Sequence, residues 1–408
     1  MPATSHLSGH LVAAAQAWLA EDPDPTTASE LASLLDAARR GDSDATEELT
    51  DAFNGSLQFG TAGLRGRLGP GSNRMNRVVV ARAAAGLARY LLGRYGPEGL
   101  RVVIGYDARR NSDVFARDTA RIMAGAGITA MVLPRALPTP VLAFAIRELL
   151  CAAGVMVTAS HNPPDDNGYK VYVGDGSQIV APVDVDIAEC IAGIGPMATI
   201  SEADEYLLLD EAVVDSYVNR ALTLLPPGPR HLAVVYTALH GVGGNIFMRV
   251  VEDAGFERPS TVAAQFEPDA RFPTVSFPNP EEPGAMDLAL ADARTRQADI
   301  VIANDPDADR CAVGIRTGDD YRMLSGDEVG SLLGWWIIER ARRAGEPLDG
   351  VYAQSIVSSD LLQRIAVDAG LGYAATLTGF KWIARVPQLR FGYEEALGYR
   401  VDPDAVKD

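Results

Sequence analysis

Cysteine, lysine and long apolar runs are all scarce in this 408-residue sequence, and each shortage excludes a class of protein. The three cysteines, Cys151, Cys190 and Cys311, are widely spaced and odd in number, which disfavours both a disulfide framework and a zinc site. No apolar run reaches the roughly 18 residues of a membrane span, and the first residues lack the basic start of a signal peptide. We therefore expect a cytoplasmic protein without a membrane partner.

Positive charge is also in deficit, because 36 lysines and arginines face 54 aspartates and glutamates, for a formal net charge of -18. Nucleic acids are bound by basic faces, so this balance predicts no nucleic-acid partner. Any anionic ligand must be held by a local basic pocket. Only three of the basic residues are lysines, Lys170, Lys381 and Lys407. Each lysine either remains by chance in a sequence that otherwise uses arginine, or takes part in proton exchange, which a guanidinium cannot perform.

The order of predicted elements indicates an α/β fold. Helices are predicted near 78–95, 113–126, 139–149, 284–297, 327–342 and 359–368, and strands near 101–106, 129–133, 232–236, 299–303, 350–356 and 371–376. This alternation is typical of βαβ units with largely parallel sheets, in which functional residues gather at the carboxyl ends of strands.

The rhythm recurs three times, which predicts three successive α/β domains around a shared cleft. Residues 1–55 are interpreted as an acidic helical leader that packs on the first domain. We place domain 1 at 56–205, domain 2 at 206–315 and domain 3 at 316–408.

An apolar run that ends abruptly at Ser160 and His161 is the centre of the sequence. Two prolines follow, which cannot join a sheet ladder, and residues 165–168 are turn formers. The pattern predicts a buried strand that delivers Ser160 to a loop, and a sharp turn that brings Lys170 back towards the serine. A hydrolase nucleophile would need a G-x-S-x-G elbow, whereas this serine lies in Thr-Ala-Ser-His-Asn at 158–162.

Three aspartates, Asp305, Asp307 and Asp309, alternate directly after a predicted buried strand. Clustered carboxylates repel one another unless a divalent cation neutralises them. An EF-hand would need Gly and Glu where Arg310 and Arg316 stand, so a calcium sensor is excluded. The pattern favours Mg²⁺ with a phosphate oxygen as a further ligand, over a solvated acidic turn.

A glycine-rich stretch at 59–66 contains Arg65 among three glycines. Glycines let backbone N–H groups approach an anion, and an arginine can grip phosphate oxygens with two hydrogen bonds. Arg67, Arg74 and Arg77 follow closely, which favours anion binding over a simple turn.

If Ser160 carried a phosphoryl group, its charge would complete the magnesium site of the aspartates.

The sequence resembles the α-D-phosphohexomutase superfamily, the phosphoglucomutases and phosphomannomutases, over nearly its whole length. Five motifs carry the resemblance in order: Gly-Thr-Ala-Gly-Leu-Arg-Gly at 60–66, Thr-Ala-Ser-His-Asn-Pro at 158–163, Gly-Tyr-Lys at 168–170, Asp-Pro-Asp-Ala-Asp-Arg at 305–310 and Gly-Tyr-Glu-Glu-Ala at 392–396.

The resemblance implies a role for each motif. Ser160 would be the phosphoserine, Lys170 and His161 would form the acid/base region around the sugar hydroxyl, and Arg65 would stabilise the transferring phosphate. Mg²⁺ would be held by Ser160, Asp305, Asp307 and Asp309. Sugar phosphate would be bound by Thr61, Arg310, Gly379, Lys381, Glu394 and Glu395.

The implied reaction interconverts hexose 1-phosphate and hexose 6-phosphate through a sugar 1,6-bisphosphate, so the expected partners are small phosphosugars. Nothing in the sequence indicates an oligomeric state. Tyr393 and Ala396 flank the Glu-Glu pair where the commonest family form has Gly and Ser, and this variant resembles the phosphopentomutase-like branch. Family members also continue into a fourth, C-terminal domain that is absent from this chain, so a truncated chain or part of a longer polypeptide is expected.

Three alternatives stay open at this point. The chain could be a phosphopentomutase of the same family, or a truncated relative that binds sugar phosphate with little turnover. A phosphatase with an aspartyl nucleophile would explain the carboxylates but leaves the Ser-His-Asn-Pro loop without a role.

Overall fold

Three β-sheets with packed helices make up the computed structural model, which describes residues 7–61 and 63–404. Each sheet has parallel strands at its centre and at least one antiparallel strand at an edge. The predicted α/β class with largely parallel sheets is therefore confirmed. Lys407 lies outside the described residues. Within them, no helix is both long and apolar enough to cross a membrane.

Three helices precede the first sheet: α1 (Gly9–Glu21), α2 (Pro25–Arg39) and α3 (Ser43–Ala52). Side-chain oxygens cap the start of each helix, which satisfies N–H groups that have no partner within the helix. The helices share an apolar cluster that includes Trp18 and Leu31, and Val78 of the following helix joins it. The cluster therefore packs these helices onto the first sheet unit.

The first unit is built around a six-stranded sheet of order β1-β5-β4-β2-β3-β6. Its elements are β1 (Leu64–Arg67), α4 (Arg77–Tyr95), β2 (Arg101–Tyr106), α5 (Ser112–Gly125), β3 (Thr129–Val132), α6 (Thr139–Glu148), β4 (Ala153–Val157), β5 (Asp166–Val173), α7 (Val183–Ala192), the 3₁₀ turn Met197–Thr199, β6 (Leu207–Leu208) and α8 (Ala212–Thr223). All of β4 is buried, because apolar clusters cover both faces of the sheet.

The second unit has a five-stranded sheet of order β11-β10-β9-β7-β8. Its elements are β7 (Val234–Thr237), α9 (Gly244–Asp253), β8 (Ser260–Thr261), α10 (Ala263–Phe266), α11 (Asp287–Arg296), β9 (Ile300–Asn304), β10 (Cys311–Thr317) and β11 (Asp320–Met323). Strand β9 pairs in parallel with β7 on one side and antiparallel with β10 on the other. The segment between β9 and β10 is the loop that carries the three aspartates.

The third unit has a four-stranded sheet of order β13-β12-β14-β15. Its elements are α12 (Gly326–Ala344), β12 (Val351–Ser355), α13 (Leu361–Asp368), β13 (Gly372–Thr376), α14 (Phe380–Ile383), β14 (Leu389–Glu394) and β15 (Gly398–Arg400). Helix α12 lies against β14 so closely that a Cβ atom on Gly330 would be 2.3 Å from Cγ of Tyr393. Glycine at 330 therefore lets the helix support the strand that ends at Glu394.

Most predicted helices and central strands are present, but several edge strands differ from the prediction. No strand was predicted in the glycine-rich stretch at 59–66, yet β1 begins within it at Leu64 and pairs with β5. The hairpin of β10 and β11 was not predicted. The sheets also extend past the proposed boundaries, because β6 at 207–208 pairs with β3 and β11 at 320–323 pairs with β10.

Candidate active site

Ser160 lies just beyond β4, in a backbone conformation with φ of 54° that non-glycine residues seldom adopt. Its N–H donates to Oγ1 of Thr158 at 2.8 Å, and its side chain is buried. The hydroxyl Oγ donates to Oδ2 of Asp305 at 2.8 Å, across the boundary between the first and second units. The structure thus brings the predicted phosphoserine directly to the predicted metal loop.

The return of the chain from Ser160 is tighter than the sequence suggested. Residues 165–168 were predicted to form the turn, but β5 already begins at Asp166 and pairs antiparallel with β4, with Met156 opposite Lys170. A Cβ atom on Gly168 would lie 2.5 Å from the carbonyl oxygen of Thr158. Gly168 is therefore needed for close approach of the two strands rather than for a turn.

The three aspartates of the second unit form a buried cluster. Asp305 and Asp307 are fully buried, and one oxygen from each of the three residues lies within 4.8 Å of the others. Oδ1 of Asp307 and Oδ1 of Asp309 are buried and have no hydrogen-bond partner among the described residues. Unpartnered carboxylate oxygens at this spacing suit a hard divalent cation, so the cluster is compatible with metal binding. Burial excludes a solvated acidic turn.

The pKa values of Asp305 and Asp307 are shifted in opposite directions. Burial raises the pKa of Asp305 well above its ordinary value, and the neighbouring Asp309 and Asp307 add to that effect. Burial would also raise the pKa of Asp307, but the Lys170 ammonium holds it well below the usual range. The arrangement therefore favours a cation beside Asp305.

Lys170 connects the first unit to the aspartate loop. Its Nζ donates to Oδ2 of Asp307 and to Oδ2 of Asp309, both at 2.8 Å. Oγ1 of Thr139, at the start of α6, donates to the same Oδ2 of Asp307 at 2.7 Å. Sequence reasoning missed Thr139, and its place before Pro140 at a helix start was the available signal.

His161 and Arg65 flank the serine. Nδ1 of His161 lies 3.2 Å from Oγ of Ser160. Burial, followed by the charges of Arg310 and Arg65, lowers the pKa of His161 to about 4, so the imidazole is neutral at neutral pH. Nη1 of Arg65 donates to Oδ1 of Asn162 at 3.1 Å, which places the guanidinium beside the serine loop.

The arginines that follow Arg65 in sequence do not join it. Arg67 and Arg74 pair with Glu48 of α3 at 3.1 and 3.0 Å. Arg77 pairs with Asp118 of α5 at 2.7 Å. The prediction that they strengthen an anion site was wrong, because each is already matched by a carboxylate.

A cavity of about 160 Å³ lies between the aspartate loop and the third unit. Its walls are Gln178, Asp309, Arg310, Gly379, Phe380, Lys381, Glu394 and Gly398. Four predicted substrate-binding residues, Arg310, Gly379, Lys381 and Glu394, are therefore brought together. Gln178 was not predicted, because no sequence motif marks it.

Polar groups around this cavity are partly unsatisfied. Oε2 of Glu394 is buried without a hydrogen-bond partner among the described residues. Burial raises the pKa of Glu394 to about 7, against the opposing charge of Arg310. Nζ of Lys381 donates to Oγ1 of Thr61, so this pair spans the first and third units. Glu395 is not among the residues that line the cavity, and its carboxylate accepts hydrogen bonds from Ser355 and Ser358.

Comparison with known proteins gives one consistent result. Residues 56–196 match the family described as phosphoglucomutase/phosphomannomutase, alpha/beta/alpha domain I, and residues 215–318 match domain II of that family. A "Probable phosphomannomutase" of Haemophilus influenzae is 51% identical over 340 residues, which are 82% of this chain and 69% of the relative. A human phosphopentomutase is 35% identical over 427 residues, 95% of this chain and 67% of the relative.

A solved structure shows the same fold. The crystal structure of a phosphoglucomutase/phosphomannomutase family protein from Burkholderia thailandensis superposes with a TM-score of 0.72 at 22% identity, over 86% of this chain and 73% of that one. The chain thus spans about two thirds to three quarters of the length of these similar proteins.

Proposed function

Because the chain belongs to the phosphoglucomutase/phosphomannomutase family, we propose that it interconverts hexose 1-phosphate and hexose 6-phosphate through a phosphoryl group on Ser160. The chain is an intramolecular phosphotransferase, as the sequence predicted. The observation that carries the phosphoserine proposal is the buried 2.8 Å contact between Oγ of Ser160 and Oδ2 of Asp305. It supports a serine that works beside a cation site rather than as a hydrolase nucleophile.

We propose that Mg²⁺ is held by Asp305, Asp307 and Asp309 together with Ser160. The unpartnered oxygens of Asp307 and Asp309 fit this ion, which prefers oxygen ligands. When bound, the ion would withdraw charge from the phosphoryl group and make it easier to transfer. An aspartyl phosphatase is not supported, since it gives the Ser160 contact no part.

The reaction has two phosphoryl transfers. In the first, a hydroxyl oxygen of a sugar monophosphate forms a bond to phosphorus, the bond from phosphorus to Oγ of Ser160 breaks, and the hydroxyl proton passes to a base. The sugar 1,6-bisphosphate then turns round in the cleft. Oγ of Ser160 forms a bond to its other phosphorus, the bond from that phosphorus to the sugar oxygen breaks, and the sugar oxygen takes the proton back from the base. Positioning and charge neutralisation carry most of the catalysis in such transfers.

Residues around Ser160 are placed for these tasks. Lys170 is the proposed residue for proton exchange, because an ammonium can give up a proton and the amine that remains can take one. To act as the base, it must first lose the proton with which it now binds Asp307 and Asp309. Neutral His161, 3.2 Å from Oγ, can hydrogen-bond the phosphoryl group or the serine oxygen as the bond breaks. Arg65 and Arg310 supply positive charge on two sides of the loop.

The cavity of about 160 Å³ is the proposed sugar site. The unpartnered oxygen of Glu394 would accept hydrogen bonds from sugar hydroxyls. Lys381 and Thr61 already contact each other across the first and third units, and a phosphate there would receive hydrogen bonds from both. Gly379 lines the cavity beside Glu394, and Glu395 would support the loop through Ser355.

Pentose phosphates are the second candidate substrate. Ala396 offers no hydroxyl beside the Glu-Glu pair, and the similarity to human phosphopentomutase covers 95% of the chain. Both sugar classes must therefore be assayed.

Measurement of kcat/KM for glucose 1-phosphate, mannose 1-phosphate and ribose 1-phosphate, with Mg²⁺ and a bisphosphate primer, tests the proposal. A hexose mutase gives the highest value with one of the two hexose phosphates. Preference for ribose 1-phosphate would replace the hexose proposal, and the absence of turnover with all three would leave a sugar-phosphate-binding relative.

A further inference from the structure

Arg109 holds the serine loop by its backbone carbonyl groups. Nη2 donates to the carbonyl oxygens of Ser160 at 2.5 Å and Asn162 at 2.6 Å, and Nη1 donates to those of Pro163 at 2.8 Å and Asp166 at 3.2 Å. We propose that Arg109 is a positioning residue for phosphoryl transfer, which fixes the direction in which Ser160 presents Oγ. This inference rests on the proposed function.

The shape of arginine explains why this residue type is needed. The loop after β4 leaves the sheet, so the carbonyl groups of Ser160, Asn162 and Pro163 lie outside any strand. A guanidinium presents five N–H donors in one plane, whereas an ammonium has three donors that point in other directions. Arg109 is 4% exposed, and buried carbonyls without a donor are unfavourable. One side chain thus donates to four carbonyl groups, of which that of Pro163 also accepts from the N–H of Asp166.

The backbone N–H and the backbone carbonyl of Ser160 are both linked to the carboxylate of Asp107, each through one other side chain. The N–H of Ser160 donates to Oγ1 of Thr158, which itself donates to Oδ2 of Asp107 at 2.7 Å. The carbonyl of Ser160 accepts from Arg109, whose Nε lies 3.4 Å from the same Oδ2 of Asp107. A serine with φ of 54° persists when its surroundings hold it there. Asp107 and Arg109 are therefore the parts of the first unit that hold this conformation.

A residue of the second unit also contacts the Arg109 side chain. The guanidinium carbon of Arg109 lies 4.9 Å from the ring centre of Phe272, a buried residue of the second unit. The second unit also carries Asp305, which accepts the hydrogen bond from Oγ of Ser160. Arg109 thus contacts both the serine loop of the first unit and Phe272 of the second unit, which carries the metal loop.

Arg109→Lys tests this inference, with the adjacent Arg110→Lys as the matched control. The side chain of Arg110 is 59% exposed and reaches Asp165 only at 3.6 Å. We expect Arg109→Lys to lower kcat by about 100-fold, because a small misplacement of a reacting group costs that much, with KM for the sugar phosphate unchanged. Arg110→Lys keeps both constants of the wild type. Phe272→Leu, which removes the ring but keeps apolar volume, lowers kcat less than Arg109→Lys and also leaves KM unchanged.

Each rate is expressed per folded molecule, with the folded fraction taken from thermal unfolding. A loss of folded protein with unchanged kcat per folded molecule would reduce Arg109 to a structural role and overturn the inference. Equal kcat in Arg109→Lys and Arg110→Lys would do the same.

The proposed function can fail separately. If the wild type interconverts none of the sugar phosphates, the rate at which Ser160 takes up phosphate from glucose 1,6-bisphosphate replaces kcat. A slower uptake in Arg109→Lys than in Arg110→Lys still supports the inference. Equal uptake rates, or no uptake by the wild type, overturn it.

Discussion

Nζ of Lys170 lies 2.8 Å from Oδ2 of Asp307, although the two residues are 137 positions apart in the chain. Both side chains are almost completely withdrawn from solvent. This contact joins the sheet that carries Ser160 to the loop that carries the aspartates. The folded chain therefore holds the two loops in this relative position by its own side chains.

Removal of the Lys170 ammonium should destabilise the metal-free protein. We expect Lys170→Met to lower the free energy of unfolding by about 3 kcal/mol at pH 7, because a broken buried ion pair leaves an uncompensated carboxylate. Urea unfolding in the presence of EDTA measures the change. Arg39→Met is the control, since its pair with Asp36 is exposed, and its effect should stay below about 1 kcal/mol.

The same pair predicts a pH dependence. The pKa of Asp307 is lowered in the folded chain, so the stability gained from Lys170 is present above the ordinary aspartate pKa of about 3.9 and is lost as the pH falls through the lower folded value. The difference between wild type and Lys170→Met should therefore shrink below about pH 4. A difference that stays constant down to about pH 2 would contradict this interpretation.

Asp305 should be required for Mg²⁺ to stabilise the protein. A ligand that binds only the folded state raises its stability with concentration, by about 2.7 kcal/mol at 100 times the dissociation constant. We expect MgCl₂ to raise the Tm of the wild type and of Asp319→Asn, whose side chain lies in an exposed turn, but not that of Asp305→Asn. Equal Mg²⁺-dependent shifts in all three proteins would place the ion elsewhere.

Glu394 should make stability fall as the pH rises. Burial raises its pKa from 4.5 to about 7, so the folded chain binds more protons than the unfolded chain between these values. The stability advantage of Glu394→Gln over the wild type should then grow by about 3 kcal/mol between about pH 4.5 and pH 8. Urea unfolding without Mg²⁺ measures it, with the exposed Glu346→Gln as a control that should show no such trend.

Gly330 should be intolerant of a side chain. A Cβ atom there would lie 2.3 Å from Tyr393, the residue before Glu394, so Gly330→Ala should cost about 2 kcal/mol and raise KM for the sugar phosphate. A Cβ atom on Gly93 in α4 would have no neighbouring atom within 4 Å, and Gly93→Ala should stabilise the protein by about 0.5 to 1 kcal/mol. Similar effects of the two substitutions on stability would contradict the packing described for α12.

Functional residues could be predicted from the sequence where their motif lies within one short stretch. Asp305, Asp307 and Asp309 follow an apolar strand in one short stretch, and Ser160 ends another, so both loops were recognisable. The α/β alternation was recognisable for the same reason, because helical and strand periodicities are local patterns.

Residues that act across the fold were missed. Thr139 meets Asp307 across 168 positions, and Arg109 binds backbone carbonyls, which have no residue-type signature. The error over Arg67 and its neighbours has the same origin, because proximity in sequence to Arg65 does not reveal a carboxylate on α3. Strand β1 was missed because Leu-Arg-Gly-Arg has low strand propensity and depends on β5 for its pairing.

Intact-mass measurement tests most directly whether Ser160 is the phosphate acceptor. The full chain and its Ser160→Ala variant are incubated with glucose 1,6-bisphosphate and Mg²⁺, and the modified residue is located by peptide mapping. We predict that the wild type gains the mass of one phosphoryl group at Ser160, and that Ser160→Ala gains none while it unfolds at a similar temperature. A phosphoryl group on another residue, or equal labelling of the folded variant, would show that Ser160 is not the phosphate acceptor.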